Sequence, residues 1–76
     1  MQEKIREIAS RVKELRELSE ISVQYIAAKL KISADKYALY EKGEEDIPAS
    51  VLVEIAQVFK VDTTLLLTGE SPRMNV

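Results

Sequence analysis

The sequence predicts an all-α protein in which five short helices pack around one core, and three observations lead to this fold. Apolar residues recur at intervals of three and four along most of the 76-residue chain, as they do on one face of a helix. Serines precede two of these segments, and glycine or proline separates others, which places the helix ends. The chain is 46% hydrophobic and has no cysteine, so one modest core has to stabilise it without disulfides.

The first helix is predicted from a single apolar stripe, formed by Ile5, Ile8, Val12 and Leu15. Charged residues occupy most of the remaining positions, which is typical of a helix with one side in water. Leu18 and Ile21 are expected to continue the core contact across the turn that follows.

Ser22 and Ser33 predict the starts of the second and third helices, because a serine at the N-cap accepts a hydrogen bond from a first-turn amide. Their inner faces are formed by Ile26, Ala27, Leu30, Tyr37 and Tyr40. Ile32 is expected to fill the turn between them. Small Ala27 lets the two helices cross closely. This spacing predicts a helix-turn-helix whose second arm, about residues 33–42, can lie in a DNA major groove.

The last two helices are predicted from residues that mark helix ends as well as from apolar periodicity. Gly43 suits a left-handed end to the third helix, and Pro48 suits the first turn of the fourth. The inner stripe of the fourth helix is Leu52, Ile55, Ala56 and Phe59. Asp62 is expected to cap a short fifth helix that ends at Gly69. Residues 1–69 are therefore expected to form the domain, and residues 70–76 a tail or the start of a linker to a missing domain.

Several short motifs follow one another in order along the chain: Leu15-Arg16, Ser22, Ile26-Ala27, Leu30, Ile32-Ser33, Tyr40-Glu41-Lys42-Gly43, Ile55-Ala56, Phe59, Val61-Asp62 and Leu65-Leu66. Over residues 5–68 this order resembles the Cro/phage-repressor type of helix-turn-helix, often called the XRE family. The resemblance implies a sequence-specific transcriptional regulator. Such a regulator binds DNA as a dimer, on two half-sites about 34–36 Å apart.

The resemblance also implies which residues meet base edges. The start of the third helix would present Ala34, Asp35, Lys36 and Leu39. Lys36 can donate to guanine and Ala34 can contact a thymine methyl group, whereas Asp35 either accepts from cytosine or simply complements the helix dipole. An ion pair between Arg16 and Glu41 is implied as well, and it would fix the angle of the third helix. The alternative is that both are ordinary exposed charges.

Phosphate contacts are expected from Ser22, Val23, Lys29, Lys31 and Lys42. The lysines can pair with phosphates, and the amides at a helix N-terminus point toward an anion. Each lysine has an alternative interpretation as a solvated surface charge. Val23 departs from the family pattern, since many members place a glutamine there. Tyr25 lies off the inner stripe and is expected at the surface.

The charge distribution bears on the choice of partner. The net charge is −2, but residues 1–42 hold nine basic and seven acidic residues, whereas residues 43–76 hold two and six. The basic excess lies in the half that contains the predicted helix-turn-helix, so double-stranded DNA is the expected partner. The basic excess is small, and the chain is expected to bind DNA as a homodimer. Asp35 and the acidic loop at residues 44–46 favour the alternative, a protein-interaction module that kept the fold and lost most DNA affinity.

Neither enzyme activity nor a cofactor or metal is expected. The chain has no histidine, no cysteine and no glycine-rich phosphate loop. No apolar run approaches the ~20 residues of a membrane span, and the N-terminus lacks a signal peptide's apolar centre, so a cytoplasmic location is expected. Residues 66–74 are similar to the junction in regulators that carry a cupin sensor domain. A C-terminal sensor domain outside this chain is therefore expected; the alternative is a complete chain with a frayed tail.

Overall fold

A computed structural model describes residues 2–70, and over this range the chain forms five helices and no strand. The helices are α1 (Gln2–Leu18), α2 (Val23–Leu30), α3 (Ala34–Glu41), α4 (Ala49–Phe59) and α5 (Thr63–Thr68). The all-α prediction is confirmed, and α2 and α3 are the two arms of the helix-turn-helix. Of these five helices, none has both the length and the apolar character that a membrane span requires.

Every helix contributes one side chain that is completely withdrawn from water. These residues are Val12, Ile26, Tyr37, Ile55 and Leu66, in the order of the helices. Ala27 is also buried, as its position in the inner face of α2 predicted. Short helices like these are marginal alone in water, so their stability comes from this shared core.

Two of the predicted helix starts are confirmed in their hydrogen bonding. The hydroxyl of Ser22 accepts from the backbone N–H of Tyr25 at 3.0 Å, and that of Ser33 accepts from the N–H of Lys36 at the same distance. The starts of α4 and α5 differ in detail from the prediction. Pro48 lies at the N-cap, one residue before α4, and Asp62 lies at the N-cap of α5 without a side-chain hydrogen bond.

The first four helices end in the same backbone motif. A left-handed residue follows each helix, and the next amide donates to a carbonyl five residues earlier, as in a Schellman motif. The left-handed residues are Glu20, Lys31, Gly43 and Lys60. Gly43 was predicted in this role, but the other three are not glycines. In three of the motifs an apolar residue follows and packs against the core: Ile21, Ile32 and Val61.

This motif explains one wrong prediction. Leu18 was expected to contact the core, but its side chain is 76% exposed. The left-handed turn at Glu20 carries the chain back so that Ile21 packs against the core instead. Leu18 is thereby left on the outside at the last residue of α1.

Two basic side chains of α1 form hydrogen bonds to the C-terminal carbonyls of α5. The ammonium of Lys4 donates to the carbonyl oxygen of Leu67 at 2.8 Å, and the guanidinium of Arg11 donates to the carbonyls of Leu66 and Leu67 at 3.0 and 3.1 Å. Carbonyls at a helix C-terminus have no partner in the helix and carry partial negative charge, so cations stabilise them.

Lys60→Gly is expected to be more stable than Lys60→Ala by about 1 kcal/mol, because a left-handed conformation is strained for a residue with a Cβ and free of strain for glycine. Both variants lose the same charge, which makes the alanine variant the matched control. Thermal or urea unfolding measures the difference. Equal stabilities would contradict the left-handed conformation of Lys60.

Candidate nucleic-acid interface

An ion pair shielded from water joins α1 to the last residue of α3. The Nε of Arg16 donates to Oε2 of Glu41 at 2.6 Å, and a terminal guanidinium nitrogen donates to Oε1 at 3.2 Å. The two side chains are 14% and 8% exposed. The other terminal nitrogen of Arg16 donates to the carbonyl of Ile21 at 2.9 Å. One arginine therefore connects α1, the turn that follows it, and α3.

A tyrosine completes the hydrogen bonding of this carboxylate. The hydroxyl of Tyr37, one turn earlier in α3, donates to Oε2 of Glu41. Burial, together with the hydrogen bond to the carboxylate, raises the pKa of Tyr37. The hydrogen bond to Glu41 likewise raises the pKa of Arg16. The sequence placed Tyr37 in the core but gave its hydroxyl no partner, although the i, i+4 spacing from Tyr37 to Glu41 was a usable signal.

The four residues expected at base edges differ in exposure. Asp35 and Lys36 are exposed, whereas Ala34 and Leu39 are half-buried, and Ala34 packs against the core. The ammonium of Lys36 is 2.7 Å from a carboxylate oxygen of Glu45 and 5.7 Å from the ring centroid of Tyr40. Sequence reasoning named the acidic loop but missed this contact. The hydrogen bond from Glu45 also raises the pKa of Lys36.

The residues expected at phosphates also fall into two groups. Lys29, Lys31 and Lys42 are exposed, and the ammonium of Lys29 lies 5.4 Å from the ring centroid of Tyr25. Ser22 already accepts a hydrogen bond as the cap of α2, and Val23 is half-buried against the core. The exposed hydroxyl of Ser22 keeps its own O–H donor, so the start of α2 can offer a phosphate this hydroxyl together with backbone amides.

The helix-turn-helix is nearly neutral. Residues 22–46 hold four lysines and five acidic residues. Two of the acids are paired, Glu41 with Arg16 and Glu45 with Lys36. Because the acidic residues outnumber the lysines, phosphate attraction alone would bind a duplex weakly.

Comparison with known proteins agrees with this geometry. A family model described as a helix-turn-helix domain matches residues 9–72, most of the chain. The chain therefore belongs to the helix-turn-helix domain family. Searches of curated proteins and of solved structures return no match. The comparisons give no support for a cupin sensor domain. The tail expected at residues 70–76 lies, apart from Glu70, outside the described residues.

Glu41→Gln is expected to lower the free energy of unfolding by about 3 kcal/mol, because it leaves the guanidinium of Arg16 shielded from water without its counter-charge. Adding Arg16→Met should recover part of this loss, giving a coupling of about 1–3 kcal/mol in a double-mutant cycle. Glu54→Gln on the exposed surface of α4 is the matched control, with an expected change below about 0.5 kcal/mol. Strict additivity would contradict the coupling.

The protein is expected to lose stability at alkaline pH through Tyr37. The pKa of its hydroxyl is raised in the folded state, so above about pH 10 the unfolded chain releases a proton that the folded chain keeps. Stability from this group is complete below about pH 10 and falls by about 1.4 kcal/mol per pH unit above it. Urea unfolding across the pH range should show a shallower alkaline slope for Tyr37→Phe, with parallel curves below about pH 9. Equal alkaline slopes would show that Tyr37 keeps an ordinary pKa.

Proposed function

We propose that this chain is the DNA-binding domain of a transcriptional regulator and that α3 reads the major groove. The observation that carries the proposal is the family match over residues 9–72. Helix-turn-helix domains are typically DNA-binding and non-enzymatic, and they bind with the second helix of the motif in the groove.

The geometry of α3 supports this proposal. Tyr37 and Tyr40 hold one face of the helix in the core, while Asp35 and Lys36 in its first turn are exposed. Lys42 at the end of the helix is exposed as well and lies where a phosphate contact is expected. Exposed side chains at the start of a recognition helix meet base edges, and basic residues near its ends meet the backbone.

We further propose that the protein binds as a homodimer to two half-sites about one helical turn apart. The helix-turn-helix of one copy has no net positive charge, so a single half-site gives little affinity. A second copy attached to the first binds its own half-site at high effective concentration, which raises affinity without any new contact. A cytoplasmic location is an expectation that accompanies this role.

The second candidate function is a protein-interaction module. The contact between Glu45 and Lys36, and the neighbouring acids Glu44 and Asp46, favour it because they reduce the positive charge available to phosphates. The two functions make opposite predictions about salt-dependent binding to DNA.

The test is selection of bound sequences from random duplex DNA, followed by fluorescence anisotropy across a salt series with a linked dimer. We expect weak binding by the isolated chain, detectable at low salt, and a sharp gain on linkage. If the linked dimer shows no salt-dependent binding near about 50 mM salt, the DNA-binding proposal fails and the interaction module takes its place.

Two lysine variants separate backbone contacts from base contacts. Lys42→Ala is expected to weaken binding to all duplexes alike and to lower the salt slope by about 1, whereas Lys36→Ala is expected to relax base preference. Lys60→Ala removes the same charge from the end of α4, outside the helix-turn-helix, and should leave base preference and salt slope close to those of the unmodified chain. An effect of Lys60→Ala equal to that of Lys42→Ala would indicate a general charge effect rather than a contact.

A further inference from the structure

We propose that Glu45 limits the DNA affinity of the domain by holding the ammonium group of Lys36, so that a duplex has to displace Glu45 before Lys36 can contact it. The inference rests on the DNA-binding function proposed above and adds a residue outside α3 to the interface. In the free protein the ammonium of Lys36 lies 2.7 Å from the Glu45 carboxylate.

Glu45 is distinguished from its acidic neighbours by its position. Glu44 and Asp46 are exposed, whereas Glu45 is half-buried as a whole residue and its side chain is 40% exposed. Among the described residues, the ion pairs of this loop consist of the single contact between Glu45 and Lys36. Of three consecutive acids, the middle one therefore faces the candidate reading helix.

The backbone on both sides of Glu45 is anchored. Before it, the amides of Gly43 and Glu44 donate to the carbonyls of Tyr40 and Leu39, which closes the end of α3. After it, Ile47 is buried with 7% exposure. Because the backbone is fixed at Glu44, one residue before, and at Ile47, two residues after, the backbone entropy of this part of the loop is already lost on folding. The pair is thus better preorganised than one between two free surface side chains.

The lysine is constrained as well. Its side chain runs from the first turn of α3 along the helix, past the ring of Tyr40 four residues later, to reach Glu45. A carboxylate and a phosphate present the same kind of oxygen acceptor to an ammonium, and a guanine edge presents a weaker, uncharged one. Glu45 therefore competes with any of these DNA acceptors for the same donor.

The experiment compares Glu45→Gln with Glu44→Gln in the full chain, using anisotropy on the selected duplex at one fixed salt concentration. Each variant removes one negative charge from the same loop, so long-range repulsion from DNA falls equally in both. Release of Lys36 is specific to Glu45→Gln, which should bind more tightly than Glu44→Gln by about two- to fivefold. In a Lys36→Met background the difference between the two loop variants should disappear.

A measurement without DNA tests the contact itself. Side-chain NMR titration of Lys36 should show its pKa falling toward the ordinary value in Glu45→Gln and remaining raised in Glu44→Gln. Equal pKa values in the two variants would overturn the contact, and with it the inference.

The outcomes separate the inference from the function on which it rests. The inference fails and the proposed function stands in two cases. In the first, the duplex binds and Glu45→Gln and Glu44→Gln raise the DNA affinity equally. In the second, the difference in affinity between these variants persists in the Lys36→Met background. If none of the variants binds any duplex, the proposed function fails and the inference fails with it, even where the titration shows the pair in the free protein.

Discussion

The ion pair between Arg16 and Glu41 is the interaction on which the position of α3 depends. A helix of eight residues has little stability of its own, so its orientation is imposed by what it contacts. Tyr37 and Tyr40 bury one face, but apolar packing alone tolerates some sliding and rotation. Two hydrogen bonds from a planar guanidinium to one carboxylate tolerate much less, since a shift of α3 would leave two desolvated charges apart. The pair therefore fixes an angle more than it adds to net stability.

The hydrogen bonds of Glu41 hold the buried side of α3, whereas the side chains on its exposed side can exchange their partners. On the inside, Glu41 accepts from both Arg16 and Tyr37, so its carboxylate is well provided with donors. On the outside, the ammonium of Lys36 has a partner that water or a ligand can replace at little cost. This arrangement would suit the DNA-binding role proposed above, because a binding surface needs a scaffold that holds its position.

Local patterns in the sequence were sufficient for the helices and two of their caps. Ser22 and Ser33 each act on an amide three residues away, so neighbouring residues determine the outcome. The prediction that Leu18 contacts the core was wrong, because periodicity does not show where a turn redirects the chain. Asp62 lies at the N-cap as predicted but makes no side-chain hydrogen bond, and residue type alone does not show whether a cap side chain finds its amide. The partners of Lys36 and of the Tyr37 hydroxyl depend on how loops and side chains meet after folding. Exposure of the candidate DNA contacts depends on the same tertiary arrangement.

The connection between α2 and α3 consists of Lys31, Ile32 and Ser33, and each of the three has a separate task. Lys31 ends one helix in a left-handed conformation, Ile32 packs against the core, and Ser33 caps the next helix. Because all three residues have such a role, the connection has little conformational freedom. Helices α2 and α3 are therefore neighbours in sequence as well as in space. Contacts between such near neighbours close small loops at low entropic cost. Joining α1 to α5 is different, because the hydrogen bond from Lys4 to Leu67 links residues 63 positions apart and closes nearly the whole chain into one loop.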